Sequence, residues 1–150
     1  MKLLMVCLGN ICRSPLAEGI MKERIKEQGL DWEVDSAGTG AYHTGELPDP
    51  RSIAMARENG IDITDQRARK ITAADLDEFD LILTMDHSNQ RNVLALTRNE
   101  QQREKVKSIL DFAEANKQDE VPDPYWDDNG FQLVFDLLDQ ATEGIIKKLA

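Results

Sequence analysis

An α/β fold, a parallel sheet with helices on both faces, is what the sequence predicts, and three observations carry it. Short apolar runs at residues 3–7 and 80–85 suit strands covered on both faces. They alternate with segments whose apolar residues recur at spacings of three and four, the period of a half-buried helix. The 150 residues, 41% of them hydrophobic, carry no internal repeat or linker, so the chain reads as a single domain over 1–150. A chain of that length buries roughly 70% of its unfolded surface in one core.

The first strand, 3–7, meets Gly9, Asn10 and Arg13 too soon to be the core of a signal peptide. A helix follows, with Ser14 as cap and Pro15 at the first helical position; Leu16, Ile20, Met21 and Ile25 form its buried face, and Gly29 stops it. Residues 32–36 read as the second strand. A loop over 37–50 containing Tyr42 and His43 leads to a helix over about 51–59 with Gly60 behind it. Loops of that length are often functional. The third strand spans 80–85, a helix 86–96 and a fourth strand 106–110. Residues 111–128 are polar, acidic and contain two prolines, the marks of a surface loop. Phe131, Val134, Phe135, Leu138, Ala141, Ile145 and Leu149 then mark a last helix with one buried stripe.

With 28 acidic against 18 basic side chains the net charge is −10, and no Lys/Arg-rich stripe appears, which disfavours a nucleic-acid partner. Two cysteines five positions apart, Cys7 and Cys12, make no disulfide framework, so the expected compartment is the cytoplasm. Any anionic ligand must be held by local geometry. Parallel sheets bind ligands beyond the carboxyl ends of their strands, where Cys7-Leu8-Gly9-Asn10-Ile11-Cys12-Arg13-Ser14 lies.

That segment joins a cysteine, five intervening residues, an arginine and a hydroxyl between a strand and a helix. Its backbone N–H groups can wrap an anion, and the helix N-terminus adds positive partial charge that also favours the nucleophilic thiolate of Cys7. Arg13 offers a planar donor fork for two phosphoryl oxygens, Gly9 and Asn10 tolerate a left-handed backbone, and Ser14 can donate to the thiolate. The third helical position would be Ala17, so no capping carboxylate competes with the anion. A lone buried cysteine would be structural; the combination reverses that balance. The segment lacks the Gly-Lys-Ser/Thr ending of a nucleotide-binding loop.

Cleaving a phosphate ester also needs an acid for the leaving group. Asp123, in Val121-Pro122-Asp123-Pro124-Tyr125-Trp126, is stiffened by two prolines and followed by two aromatics that can wall a flat substrate. Asp119, Glu120, Asp127 and Asp128 nearby favour its protonated form, which suits a proton donor.

With Cys7-Leu8-Gly9-Asn10-Ile11-Cys12-Arg13-Ser14-Pro15, Asp35-Ser36-Ala37-Gly38-Thr39 and Asp123-Pro124-Tyr125-Trp126 in that order, the chain resembles the low-molecular-weight protein tyrosine phosphatases over essentially its whole length. The resemblance implies a flavodoxin-like three-layer sandwich with a central four-stranded parallel sheet, and a two-step reaction without metal or other cofactor. It implies Cys7 as nucleophile, Arg13 with the loop amides of Leu8, Gly9, Ile11 and Cys12 as phosphate site, and Asp123 as general acid and then base. Asn10 and Ser14 match positions that hold the loop and thiolate. Tyr42 and Tyr125 or Trp126 match aromatic walls, although Tyr42 equally suits a loop anchor. Asp86 matches a carboxylate beside the arginine; taken alone it is a helix cap.

Gln66 is the visible departure, standing where many members place a histidine in the hydrogen-bond network of the loop Asn and Ser. An amide keeps hydrogen bonds but does not titrate, so loop order should survive. His43 and His87 then read as surface residues. For Cys12 two readings stand: a partner for a protective disulfide with Cys7, or a small residue filling space. The implied partner is a phosphotyrosine-containing protein, with a cognate tyrosine kinase among the candidates, no membrane insertion, and a monomer or weak homo-oligomer. Competing readings are a protein arginine phosphatase, whose relatives carry threonine at the position of Ile11, and a non-catalytic phospho-ligand or flavin-binding module. A thiol-dependent arsenate reductase would need cysteines beyond Cys12.

Overall fold

The computed structural model describes residues 1–113 and 118–150. Four parallel strands, β1 (Lys2–Cys7), β2 (Glu33–Gly38), β3 (Leu81–Thr84) and β4 (Val106–Ser108), lie in the order β2-β1-β3-β4. Register pairs Leu3 with Val34 and Leu81, and Val6 with Ala37 and Thr84, so β1 is hydrogen-bonded on both sides. That central position explains its unbroken apolar sequence, since both faces must be covered.

The two faces separate by the alternation of side chains along a strand. Leu3, Met5 and Cys7 point into the larger core with α1 (Arg13–Gln28), α2 (Pro50–Glu58) and α6 (Phe131–Leu149). Leu4, Val6 and Ile82 point into a second core closed by Leu76 of α3 (Asp75–Glu78) and Val93 of α4 (His87–Leu94). The short α5 (Glu100–Glu104) precedes β4. This is the expected three-layer α/β sandwich. Among the described residues no helix is long and apolar enough to cross a membrane.

Several boundaries differ from the sequence reading. Helix α1 begins at Arg13 with Cys12 at its N-cap and no side-chain cap, so Ser14 is not the cap, Pro15 is not the first position and Ala17 is not the third. The Ser14 hydroxyl is drawn instead to the thiol of Cys7. Strand β2 starts and ends later than 32–36, and β3 is shorter than 80–85. Strand β4 stops at Ser108 rather than 110, because Ile109 and Leu110, while staying buried, turn into a 3₁₀ segment (Ile109–Phe112) that packs against α6. Helix α4 is shorter than 86–96, and Asp49 caps α2, whose first residue is Pro50 rather than Arg51. The loop expected over 111–128 holds a 3₁₀ turn at Pro124–Trp126; its residues 114–117 lie outside the described residues. On α6 the expected stripe is buried through Ile145, while Leu149 is exposed.

Candidate active site

β1 ends at Cys7, beside the point where the chain crosses from β2 on one side to β3 on the other, so the loop that follows opens at the switch point of the sheet. Residues 8–12 make this loop and deliver the chain to α1. Asn10 carries it through a positive φ of 57°, which Asn tolerates better than most residues. Gly38, at the end of β2, comes so close that a Cβ there would sit 2.6 Å from the Leu8 carbonyl. No side chain caps α1, so its first-turn N–H groups remain available to an anion.

A chain of hydrogen bonds fixes the loop from beneath. Asn10 Nδ2 donates to Ser14 Oγ at 2.8 Å and to Ser36 Oγ at 3.0 Å, while its Oδ1 accepts from the Arg69 N–H. Ser14, accepting from Asn10, has its own proton left for Cys7 Sγ, 3.0 Å away. Ser36 donates to Glu18 Oε1 at 2.6 Å, and Lys22 closes the line at 2.6 Å from Glu18 Oε2. Burial pushes the Glu18 carboxyl up, against the pull of Lys22 and the Ser36 hydroxyl. Gln66 stands outside this line. Its Nε2 donates to the Pro15 carbonyl at 3.1 Å, and its buried Oε1 has no partner among the described residues. The hydrogen bonds beneath the loop form without a histidine and end at the Glu18 and Lys22 pair.

Arg13 is 2% exposed. Its Nη1 donates to Asp86 Oδ2 at 2.7 Å and to the Val121 carbonyl at 2.9 Å, and Nη2 lies 3.7 Å from Asp123 Oδ2. Burial opposes its charge, but Cys7, Asp86 and Asp123 more than offset this and hold its pKa above the ordinary value. Asp86 is both helix cap and arginine partner: Oδ1 accepts from Asn89 N in the capping box of α4, and Oδ2 accepts from Arg13. Asp123 Oδ1 accepts from Tyr125 N at 3.0 Å, and the carboxylate is about a third exposed.

Cys7, Arg13 and Asp123 line one cleft of about 300 Å³, which Asp86 and Gln66 do not reach. Cys7 and Arg13 lie with Leu8, Gly9, Ile11 and Cys12 along the loop, and Asp123, Tyr125, Trp126 and Tyr42 stand opposite or beside them. Tyr42 is 75% and Trp126 87% exposed, and the Tyr125 and Trp126 rings meet edge to face at 4.8 Å. Asn10 and Ser14 are buried beneath the loop.

His43, expected on the surface, is a half-buried loop residue at the cleft. It lines the cleft, its Nδ1 is 2.8 Å from Glu46 Oε2, and its ring lies 6.2 Å from that of Tyr125. Its place next to Tyr42 in an unusually long loop was the available signal. His87 is exposed, 3.6 Å from Glu120. Cys12 packs with Ile11, Ala68 and Phe131, as a space-filling residue would, and both cysteines are free.

The sequence profile of the low molecular weight phosphotyrosine protein phosphatases matches residues 2–150. A Synechocystis sp. protein named for the low molecular weight protein-tyrosine-phosphatases is 47% identical over 99% of this chain and 96% of its own. A Schizosaccharomyces pombe low molecular weight phosphotyrosine protein phosphatase is 37% identical over 99% of this chain and 97% of its own. The crystal structure of an Entamoeba histolytica protein tyrosine phosphatase with Hepes in its active site superposes with a TM-score of 0.95 at 41% identity, covering 99% of this chain and 96% of that one.

Proposed function

The chain belongs to the low molecular weight phosphotyrosine protein phosphatase family, and from that membership we propose that it hydrolyses phosphotyrosine monoesters of proteins through a phosphocysteine on Cys7. The observation that carries this reading is the convergence of Cys7, Arg13 and Asp123 on one cleft at the carboxyl end of β1, with Ser14 Oγ bonded to Cys7 Sγ.

In the first step the Cys7 thiolate attacks phosphorus. The S–P bond forms as the P–O bond to the aryl group breaks, and Asp123 Oδ2 gives its proton to the departing phenolate oxygen. Arg13 and the N–H groups of the loop and the first turn of α1 balance charge on the equatorial oxygens. Asp86 and the Val121 carbonyl hold the guanidinium by Nη1. In the second step the Asp123 carboxylate takes a proton from water, whose oxygen attacks phosphorus; the S–P bond breaks, returning the thiolate and releasing inorganic phosphate. Tyr42, Tyr125 and Trp126 supply ring contacts for the aryl group. The cleft is at the small end of ligand sites, which suits one phosphorylated side chain on a larger partner. The same reading takes residues 1–150 as one catalytic unit acting in the cytoplasm on a phosphotyrosine protein.

The test is steady-state hydrolysis of a phosphotyrosine peptide and a phosphoarginine peptide without added metal. Wild type should turn over the former, Cys7→Ser should be inert yet still bind, and Asp123→Ala should lose about a hundredfold or more on poor leaving groups. Preferential phosphoarginine turnover would show that Ile11 does not select against that substrate. Absence of turnover on both would leave a phospho-ligand-binding module.

A further inference from the structure

The segment that carries Asp123 is held at both ends by an arginine. Upstream, Val121 N donates to the Met85 carbonyl at 2.8 Å and its carbonyl accepts from Arg13. Downstream the holder is Arg51, in the first turn of α2. Its Nη2 donates to the Tyr125 carbonyl at 3.0 Å and its Nη1 to Asp128 Oδ1 at 2.6 Å. Nε and Nη2 also form a fork on Asp49, both at 2.9 Å, so the guanidinium is itself oriented by the residue that caps its helix. The guanidinium carbon lies 4.7 Å from the centre of the Phe131 ring and 5.6 Å from that of Tyr125.

We propose that Arg51 is a positioning residue for the proton donor. It fixes the Tyr125 peptide through its carbonyl; the N–H of Tyr125 then holds Oδ1 of Asp123, leaving Oδ2 directed toward Arg13 and the leaving group. A rigid carboxylate placed before reaction is worth more than one that must be found in each turnover. A lysine in place of Arg51 keeps a charge but not the planar fork that reaches Asp49, Tyr125 and Asp128 together.

This inference rests on Asp123 as the acid, and the experiment separates the two. Wild type, Arg51→Lys, Arg51→Met, Asp123→Asn and the double variant Asp123→Asn with Arg51→Met are compared on aryl phosphates spanning good to poor leaving groups. The quantity compared is kcat/KM, which reports formation of the phosphoenzyme. Alkylation of Cys7 by iodoacetate, and its protection by inorganic phosphate, monitors the loop and the fold. Arg51→Met should lower kcat/KM by about tenfold or more for the poorest leaving group and by less than about threefold for the best, with Arg51→Lys between. Alkylation and phosphate protection should stay at wild-type values. In the Asp123→Asn background the effect of Arg51→Met should vanish, as it must if Arg51 acts through Asp123.

Equal slowing across leaving groups, altered phosphate protection, or full additivity in the double variant would overturn the proposal while leaving Asp123 in place. A flat leaving-group response in Asp123→Asn itself would overturn both.

Discussion

Cys12 is 4% exposed, and burial, followed by the negative charges of Asp49, Cys7 and Asp123, pushes its thiol up to about 12. The sign is that of an acid whose charged form is disfavoured: the neutral thiol persists as pH rises, and thiolate accumulates only toward the raised value. Near neutrality the thiolate fraction is then on the order of one part in 10⁴ or less. Iodoacetamide applied at up to about pH 9 should label Cys7 and leave Cys12 untouched, as read from the mass of the two peptides. Cys7→Ser should take up no label when native and one when unfolded. Labelling of native Cys12 below about pH 9 would refute this assignment. At this scale the site was largely legible, because Cys, Arg, Ser and Asp are required by the chemistry at fixed places along the chain. What escaped were roles set by contacts across the fold. The bond of Ser14 to the Cys7 thiol was foreseen from the loop, whereas Ser14 as a cap, read from a hydroxyl before a proline, fails because α1 already starts at Arg13. His43 escaped because loops carry no periodicity from which a direction can be read.

Helix α4 meets the site at Asp86, whose two carboxylate oxygens serve the helix and the arginine separately. Removing it takes a cap worth about 1 kcal/mol and leaves the buried Arg13 with Val121 O, the charge of Cys7 and the more distant Asp123. Breaking a fully buried pair costs about 3–5 kcal/mol, which must be reduced here because Asp86 is 18% exposed. Asp86→Ala should therefore cost about 2–4 kcal/mol in urea unfolding and also lower kcat, whereas Asp86→Asn, whose one carbonyl oxygen can accept from either Arg13 or the Asn89 N–H but not from both, should recover only part of that loss. A loss under about 1 kcal/mol for Asp86→Ala would show that Arg13 is held without it. β1, α1, β3 and α6 were located, although not to their exact ends, because each carries an unbroken apolar run or a helical recurrence of apolar residues. Helices α3 and α5, of four and five residues, have too few. The end of β4 was overextended because an apolar run reports burial, and Ile109 and Leu110 are buried in a 3₁₀ turn rather than a ladder. The start of α2 was marked by Asp49-Pro50, a cap followed by a proline suited to the first turn.

Across the whole molecule a net charge of −10 opposes the approach of a dianionic phosphate ester, and the cations that receive it are local, with Arg13 buried inside the cleft. Composition disfavoured a nucleic-acid ligand but did not locate this compensation, which depends on the sheet order β2-β1-β3-β4 bringing the Cys7 loop beside Asp123. The rim retains exposed acids, Glu46, Asp127 and Asp128 among them, although Asp128 is engaged by Arg51. Lys or Arg residues flanking the phosphotyrosine should thus meet opposite charge and offset the long-range repulsion of the phosphate. At low ionic strength kcat/KM for a phosphopeptide with two basic flanking residues should exceed that of its neutral counterpart by about three- to tenfold, and an acidic counterpart should fall below both. Since the screening length shrinks from about 30 Å at 0.01 M salt to about 8 Å at 0.15 M, the three values should converge as salt is added. The change should lie chiefly in KM, because the flanks do not touch the reacting atoms. An order of preference that persists unchanged at about 0.5 M salt would assign the selection to short-range contacts with Tyr42, Tyr125 and Trp126 instead of to the field of the molecule.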